Sequence, residues 1–388
     1  MNCNAIYYFQ IPTKIIHGLN ATSKVGEEAI ILGIKKALIV TDSGVKGAGL
    51  IDPGLKSLES VGIPAVIFDE VEIDPGIKTV MKGVEVFRSE ECNGVIVVGG
   101  GSPLCAGKAI ALVATNGGSI EDYEGVERYK IPPLPVIGIP TTAGSGSEVS
   151  AVFIITDEYR NYKIYIRGVT CYPKVAILDP LLLLNIPYWP GMNAGMDALS
   201  HAIGACCTTQ ATPITDSLAI ASVVMITKYL ASSVLTNDLE AKNFQLIAST
   251  MANIACGNAQ IDLIHVLSHP LSRYHMAHGL VCGILIPYVM EFNLPVCEDK
   301  FAEIAIALGE PSHGLKRNEL AQKAIKRIKE LYIKIGFPNK LPADIVDRKH
   351  IPELARQAMG RWTAKFNKRK FEERDLVEIY HKALVGWN

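Results

Sequence analysis

Five of the nine histidines in this 388-residue chain fall between His201 and His278, four of them between His265 and His278. Asp197 and His201 stand four residues apart in the apolar run GMDALSHAIGA. On a helix that step sets two side chains on one face, a turn apart. His265 and His269 in HVLSH repeat the spacing, and His275 and His278 follow after Pro270. Any one of these alone reads as a satisfied core residue. Together, six groups in two clusters point to a divalent cation held by nitrogen and oxygen donors. One carboxylate with three imidazoles leaves such an ion net positive, with a position open for a substrate oxygen. No thiolate enters this expected donor set, because the nine cysteines are scattered without a C-x-x-C spacing. Fe(II), Zn, Mn, Co and Ni all suit it.

A second chemistry is written in the first half. Gly99-Gly100-Gly101-Ser102-Pro103 follows the apolar run ending at Val98. Glycines there let the backbone approach a phosphate, and a helix beginning beyond them offers unpaired N–H groups and a favourable dipole. Ile139–Glu148 (IPTTAGSGSE) again follows an apolar run and packs hydroxyls and glycines together. It suits a phosphate or a nicotinamide carboxamide; Ser145 or Ser147 also reads as a plain helix cap. Two such loops on neighbouring strands of one sheet make a dinucleotide crevice. Asp42 ends the run LIVTD. A carboxylate there either accepts from ribose hydroxyls, favouring NAD over NADP, or caps the turn before Gly44.

These side chains need elements to hold them. Lys36–Thr41, Pro64–Phe68, Gly94–Val98 and Pro135–Ile139 are short, β-branched and bounded by Gly, Pro or Asp, as strands buried on both faces read. Helical spacing over Ser23–Leu32, Val45–Ser60, Ile77–Ser89 and Leu104–Thr115 alternates with them, which predicts a parallel doubly wound sheet. Beyond the prolines near Ile186–Gly191 the composition turns Ala-, Leu- and Met-rich. Helices are expected over Ala194–Cys207, Ile214–Ala231, Asp238–Cys256, His278–Phe292, Glu319–Ile335 and Arg374–Val385, with no further strand. The division is therefore residues 1–186, a dinucleotide-binding α/β domain, and 187–388, a helical metal domain, with a cleft expected where they meet. A formal net charge of −1 offers no basic surface for nucleic acid or an anionic membrane. MNCNAIYYFQIPTK lacks the charge-then-apolar order of a signal peptide, and the apolar stretch Ser217–Thr227 reads as too short to span a bilayer. Reduced thiols and a cytoplasmic location are the expectation.

Taken in order, GGGSP, IPTTAGSGSE, Asp179-Pro180, GMDALSHAI, HVLSHPL and HGLVCGILIPYVMEFN make the chain resemble the iron-containing (group III) alcohol dehydrogenase family over nearly its whole length. The resemblance implies a dehydroquinate synthase-like architecture, an α/β nucleotide domain plus an all-α metal domain. It implies reversible hydride transfer between NAD(H) and a small primary alcohol, in a homodimer or larger homo-oligomer. The metal would be Fe(II), with Zn or Mn as alternatives. Its ligands fall on Asp197, His201, His265 and His278, with His269 passing the proton. Cofactor contacts fall on Asp42, Gly99, Gly100, Ser102, Thr141, Thr142, Ser147, Phe153, Lys163 and Leu183. Glycerol dehydrogenase and dehydroquinate synthase share the architecture and stand as alternative activities, and a non-catalytic metal- or nucleotide-binding protein as another. The chain departs from the family pattern in places. Cys105 stands for a usual acid, Gly204 for a common glutamate and Asp262 for a usual glycine. The loop from His265 to His278 is one residue short, which leaves His275 a rival to His278. Arg273 in that loop suits an anionic substrate tail, such as a sulfonate or carboxylate, or else a surface acid such as Asp262.

Overall fold

The structure, a computed structural model, describes residues 5–160 and 162–387. It forms two compact units. One is Ile11–Ile186, and the other is Pro187–Asn388 together with the segment ending at Gln10.

The first unit is built on β1 (Lys14–His17), β2 (Ala37–Val40), β3 (Ala65–Phe68), β4 (Gly94–Gly99), β5 (Gly125–Val126), β6 (Val136–Pro140), β7 (Val152–Asp157), β8 (Tyr162–Arg167) and β9 (Val175–Leu178). Six of them make a parallel sheet in the order β1-β9-β6-β4-β2-β3. Strands β2, β4, β6 and β9 are buried along their whole length, as Val/Ile runs covered on both faces must be. The helices are α1 (Val25–Ile31), α2 (Ser43–Gly47), α3 (Asp52–Glu59), α4 (Ile77–Ser89) and α5 (Gly101–Asn116). The single helix expected over Val45–Ser60 is two. Gly49 turns the chain at a φ of +71°, and Pro53 opens α3, where a missing N–H costs nothing.

The four-strand expectation also proves too small. Strands β7 and β8 pair antiparallel, Val152 opposite Arg167 through Asp157 opposite Tyr162, with β5 beside β8. Phe153, Ile155, Ile164 and Ile166 point inward by strict alternation. Strands β1 and β9 are the other additions; β1 lies at the sheet's edge, and its exposed Lys14, Ile15 and His17 blur the apolar signal.

The second unit is helical: α6 (Tyr188–Cys206), α7 (Pro213–Leu235), α8 (Leu239–Ala259), α9 (Leu263–Ser268), α10 (His278–Ala307), α11 (Arg317–Ile335), α12 (Ile351–Met359) and α13 (Glu373–Val385). Helix α10 runs 15 residues beyond its expected end, through Pro287 and Pro295. The expectation that the most apolar stretch is too short to span a bilayer fails on length. Helices α7 and α10 are both long and apolar enough to cross a membrane by those criteria. In α7 the buried Ala219, Ser222, Val223, Ile226 and Leu230 recur at helical spacing, and α10 contributes Val281 to Met290 almost continuously to the same core.

Candidate functional site

Helix α6 carries Asp197 and His201 on one buried face, 6% and 8% exposed. Helix α9 brings His265, 4% exposed, alongside, and α10 opens with His278. What lets α10 reach α6 is Gly279. A Cβ there would drive into the carbonyl oxygen of Asn193 and press on Asp197. The result is convergence: Nε2 of His278 lies 3.6 Å and Nε2 of His265 3.9 Å from Oδ1 of Asp197. The His201 ring stacks on His265 with centroids 4.7 Å apart. His269, half-buried one turn past His265, places its ring 6.1 Å from that of His278.

Oδ1 of Asp197 and both ring nitrogens of His265 are buried with no hydrogen-bond partner. Buried polar atoms left so are costly unless something else satisfies them, and the donor types fit a divalent cation. Burial, then the neighbouring imidazoles of His201, His278 and His269, holds His265 well below the usual histidine range. It is thus neutral and ready to donate a lone pair. His275 is exposed, at a left-handed φ of 53°.

A sulfur atom also lies near these donors. Asp197, His265, His278 and Cys282 offer one donor atom each, all within 4.8 Å of one another. Cys282 lies one turn beyond His278 on α10.

In the α/β unit the two glycine loops follow adjacent strands, with Gly99 of β4 in register with Pro140 of β6. They face each other closely: a Cβ on Gly100 would stand 3.2 Å from the Thr142 hydroxyl, and one on Gly101 3.2 Å from that of Ser145. Thr141 is anchored by its N–H to the Gly99 carbonyl at 3.1 Å. Lys108 was missed in the sequence, although it is the one charge in the apolar helix α5. Its buried ammonium donates to Ser147 O, Ser147 Oγ, Ser150 O and Val152 O at 2.7–3.2 Å, pinning the second loop from beneath. Burial brings it down to about 8. Cys105 reaches the same Ser147 hydroxyl at 4.0 Å. Asp42 caps α2, accepting from Val45 N at 2.8 Å. Ser102 Oγ accepts from Asp74 N, and Lys163 pairs with Asp74 at 2.9 Å. Phe153 and Leu183 are buried, 1% and 2% exposed.

The remaining departures explain each other. Asp262 caps α9, its Oδ1 accepting from Ile264 N at 3.0 Å, and is 1% exposed. A Cβ on Gly204 would stand 2.6 Å from that oxygen. The glycine on α6 thus makes room for the Asp262 carboxylate that faces it. Burial pushes the Asp262 carboxyl up to about 7. Arg273, expected against Asp262 or a substrate, instead pairs with Glu353 at 2.9 Å on the surface.

The sequence model described as iron-containing alcohol dehydrogenase matches residues 12–180, and that of the family's C-terminal region matches residues 192–384. The chain belongs to the iron-containing alcohol dehydrogenase family. A 1,3-propanediol dehydrogenase of Citrobacter freundii is 37% identical over 97% of this chain and 99% of its own. The crystal structure of a 1,3-propanediol oxidoreductase superposes with a TM-score of 0.95 at 36% identity, covering 98% and 100% of the two chains. The sulfoacetaldehyde reductase of Bifidobacterium kashiwanohense, solved in complex with NAD+, superposes at 0.90 with 26% identity over 98% and 99%. Like its family, the chain is an alcohol dehydrogenase.

Proposed function

We propose that the chain transfers hydride reversibly between NAD(H) and a small primary alcohol or its aldehyde. In this reading a divalent metal is held by Asp197, His201, His265 and His278. The observation that carries it is the convergence of buried, partnerless donor atoms on Asp197 and His265 with His278 at the open side. Bound there, a divalent cation supplies Lewis acidity that lowers the pKa of an alcohol hydroxyl.

The chain's own residues supply the rest. His265, held neutral, and the Asp197 carboxylate would leave a divalent ion with one net positive charge, and the apolar helices on their buried side strengthen each electrostatic contact. His269, half-buried between that pocket and the surface, suits passage of the alcohol proton to solvent. In the α/β unit, backbone N–H groups at the start of α5 suit the pyrophosphate, and the hydroxyls of Thr141, Thr142 and Ser147 suit the remainder of NAD. Asp42 retains a carboxylate near the end of β2, where it disfavours a 2′-phosphate. Asp42, Gly99, Gly100, Ser102, Thr141, Thr142, Ser147, Phe153, Lys163 and Leu183 form the proposed cofactor set.

Because Arg273 is engaged by Glu353, the reading favours a neutral substrate over an anionic one. Metal analysis of the purified protein, with NADH oxidation over short aldehydes including sulfoacetaldehyde, tests it. Asp197→Ala and His265→Ala should lose the metal and lower kcat/KM roughly 10²–10³-fold, the scale of a lost Lewis-acid contribution. Variants that keep both metal and full turnover would sink the assignment. Faster turnover of sulfoacetaldehyde than of neutral aldehydes, lost in Arg273→Ala, would restore the anionic reading.

A further inference from the structure

Asp74 precedes Pro75 in the turn between β3 and α4. The residue before a proline is pushed towards extended backbone. Asp74 instead sits in the left-handed region, at a φ of 59°, which a non-glycine residue keeps only where its surroundings hold it. They do so on three sides. Its N–H donates to Ser102 Oγ at 3.2 Å, and its carbonyl accepts from Thr156 Oγ1 at 2.9 Å. Its Oδ2 lies 2.9 Å from the Lys163 ammonium, which also donates to Thr156 Oγ1 at 3.0 Å. The Thr156 hydroxyl thus accepts from Lys163 and gives its own proton to Asp74, closing a ring. The turn is fixed to β7 beside it, where Thr156 N donates to the Pro75 carbonyl at 2.8 Å.

We propose that Asp74 is a positioning residue for the nucleotide cofactor, holding Ser102 of the glycine loop and Lys163 of β8 in one array. The inference rests on the cofactor reading given above and adds a residue outside that contact set. An ammonium has three N–H donors and a serine hydroxyl one. Asp74 and Thr156 take two from Lys163 and leave one, while Ser102 accepts from Asp74 and keeps its own O–H. Two donors, one charged and one neutral, are therefore fixed from a single residue, and both suit the phosphate or ribose oxygens of a dinucleotide. A loose lysine and a loose loop would have to be ordered on binding, which costs affinity; Asp74 makes that ordering part of folding. Its carboxylate also offsets the Lys163 charge, which by itself weakens the pull on a phosphate. With side chains 16% exposed for Lys163 and 60% for Asp74, water screens that second effect, so the geometric one prevails.

The test is NADH affinity of the full chain, read by fluorescence titration, beside KM and kcat for NADH with a short aldehyde. Asp74→Asn keeps a residue that tolerates the left-handed backbone but removes the ion pair. It should raise the Kd and the KM for NADH roughly 5–20-fold, the scale of one lost charged hydrogen bond, and move kcat at saturating NADH far less. Thr156→Val opens the same ring from the β7 side and should also weaken NADH several-fold, which keeps the proposal testable if Asp74→Asn fails to fold. In a Lys163→Met background, Asp74→Asn should add little further loss, because the two act as a unit. Unchanged NADH affinity in the single variants, or tighter binding in Asp74→Asn through a Lys163 charge set free, would overturn the role of Asp74 and leave the cofactor reading intact. So would a full additive loss in the double variant. A wild-type protein that binds no NADH would overturn both.

Discussion

Lys108 and Asp262 are the two side chains whose burial carries a consequence beyond their own contacts. Lys108 falls from 10.5 to about 8 when folded. Between those values the unfolded chain holds a proton that the folded chain has released, so this group's contribution to stability rises with pH across that window and is flat below it. The difference in unfolding free energy between wild type and Lys108→Met should therefore shift in favour of wild type between about pH 8 and 10.5, with a slope of at most about 1.4 kcal/mol per pH unit. Denaturant titrations across that range measure it, and parallel curves would refute it. The neutral amine has fewer donors than the four acceptors around it, so NADH binding should weaken as pH rises through about 8 in wild type and already be weak in Lys108→Met. The Asp262–Gly204 pair predicts coupling. Gly204→Ala should cost about 1–3 kcal/mol by overpacking, and most of that cost should vanish when Asp262 is also changed to Gly. A double-mutant cycle in urea checks this, and additive losses would contradict the shared space.

Helix α10 shows how one element sets a site by its first turn. Its approach to α6 depends on Gly279, where any side chain meets the Asn193 backbone. Gly279→Ala should push His278 and Cys282 away from Asp197 together, leaving a folded protein with metal content reduced several-fold; unchanged metal in that variant would show that the contact does not position the site. At this scale the sequence was legible where periodicity is strong. Helix α4 falls where its pattern puts it, and β2, β4 and β6 differ from expectation by a residue or two. Short and edge elements were not legible. The alternation in YKIYIR is a strand signal that went unread, whereas β1 shows almost no apolar face because it lies at an edge. The same limit applies to the candidate site. Four-residue steps marked Asp197, His201, His265 and His269, because helical spacing is a one-dimensional property. The approach of His278 and Cys282 to Asp197 depends on which helix touches which, and only the packing of α6, α9 and α10 supplies that.

For the whole molecule the division of the chain is the salient fact, because the helical unit includes the segment ending at Gln10. Gln10 N donates to Asn258 Oδ1 at 2.7 Å, and Asn258 Nδ2 donates back to the Gln10 carbonyl at 3.1 Å. Asn258→Ala removes both bonds and should lower stability by about 1–2 kcal/mol, with earlier protease cutting ahead of β1. No change in either measurement would show that the strap is idle. The strap also has a timetable. Its two ends are 248 residues apart, so on a ribosome adding ~5–20 residues per second the first end waits roughly 12–50 s for its partner to be made. The α/β unit lies wholly within that interval. It can fold while tethered, before the helical half is complete, whereas the helical half can close only after synthesis has passed Asn258.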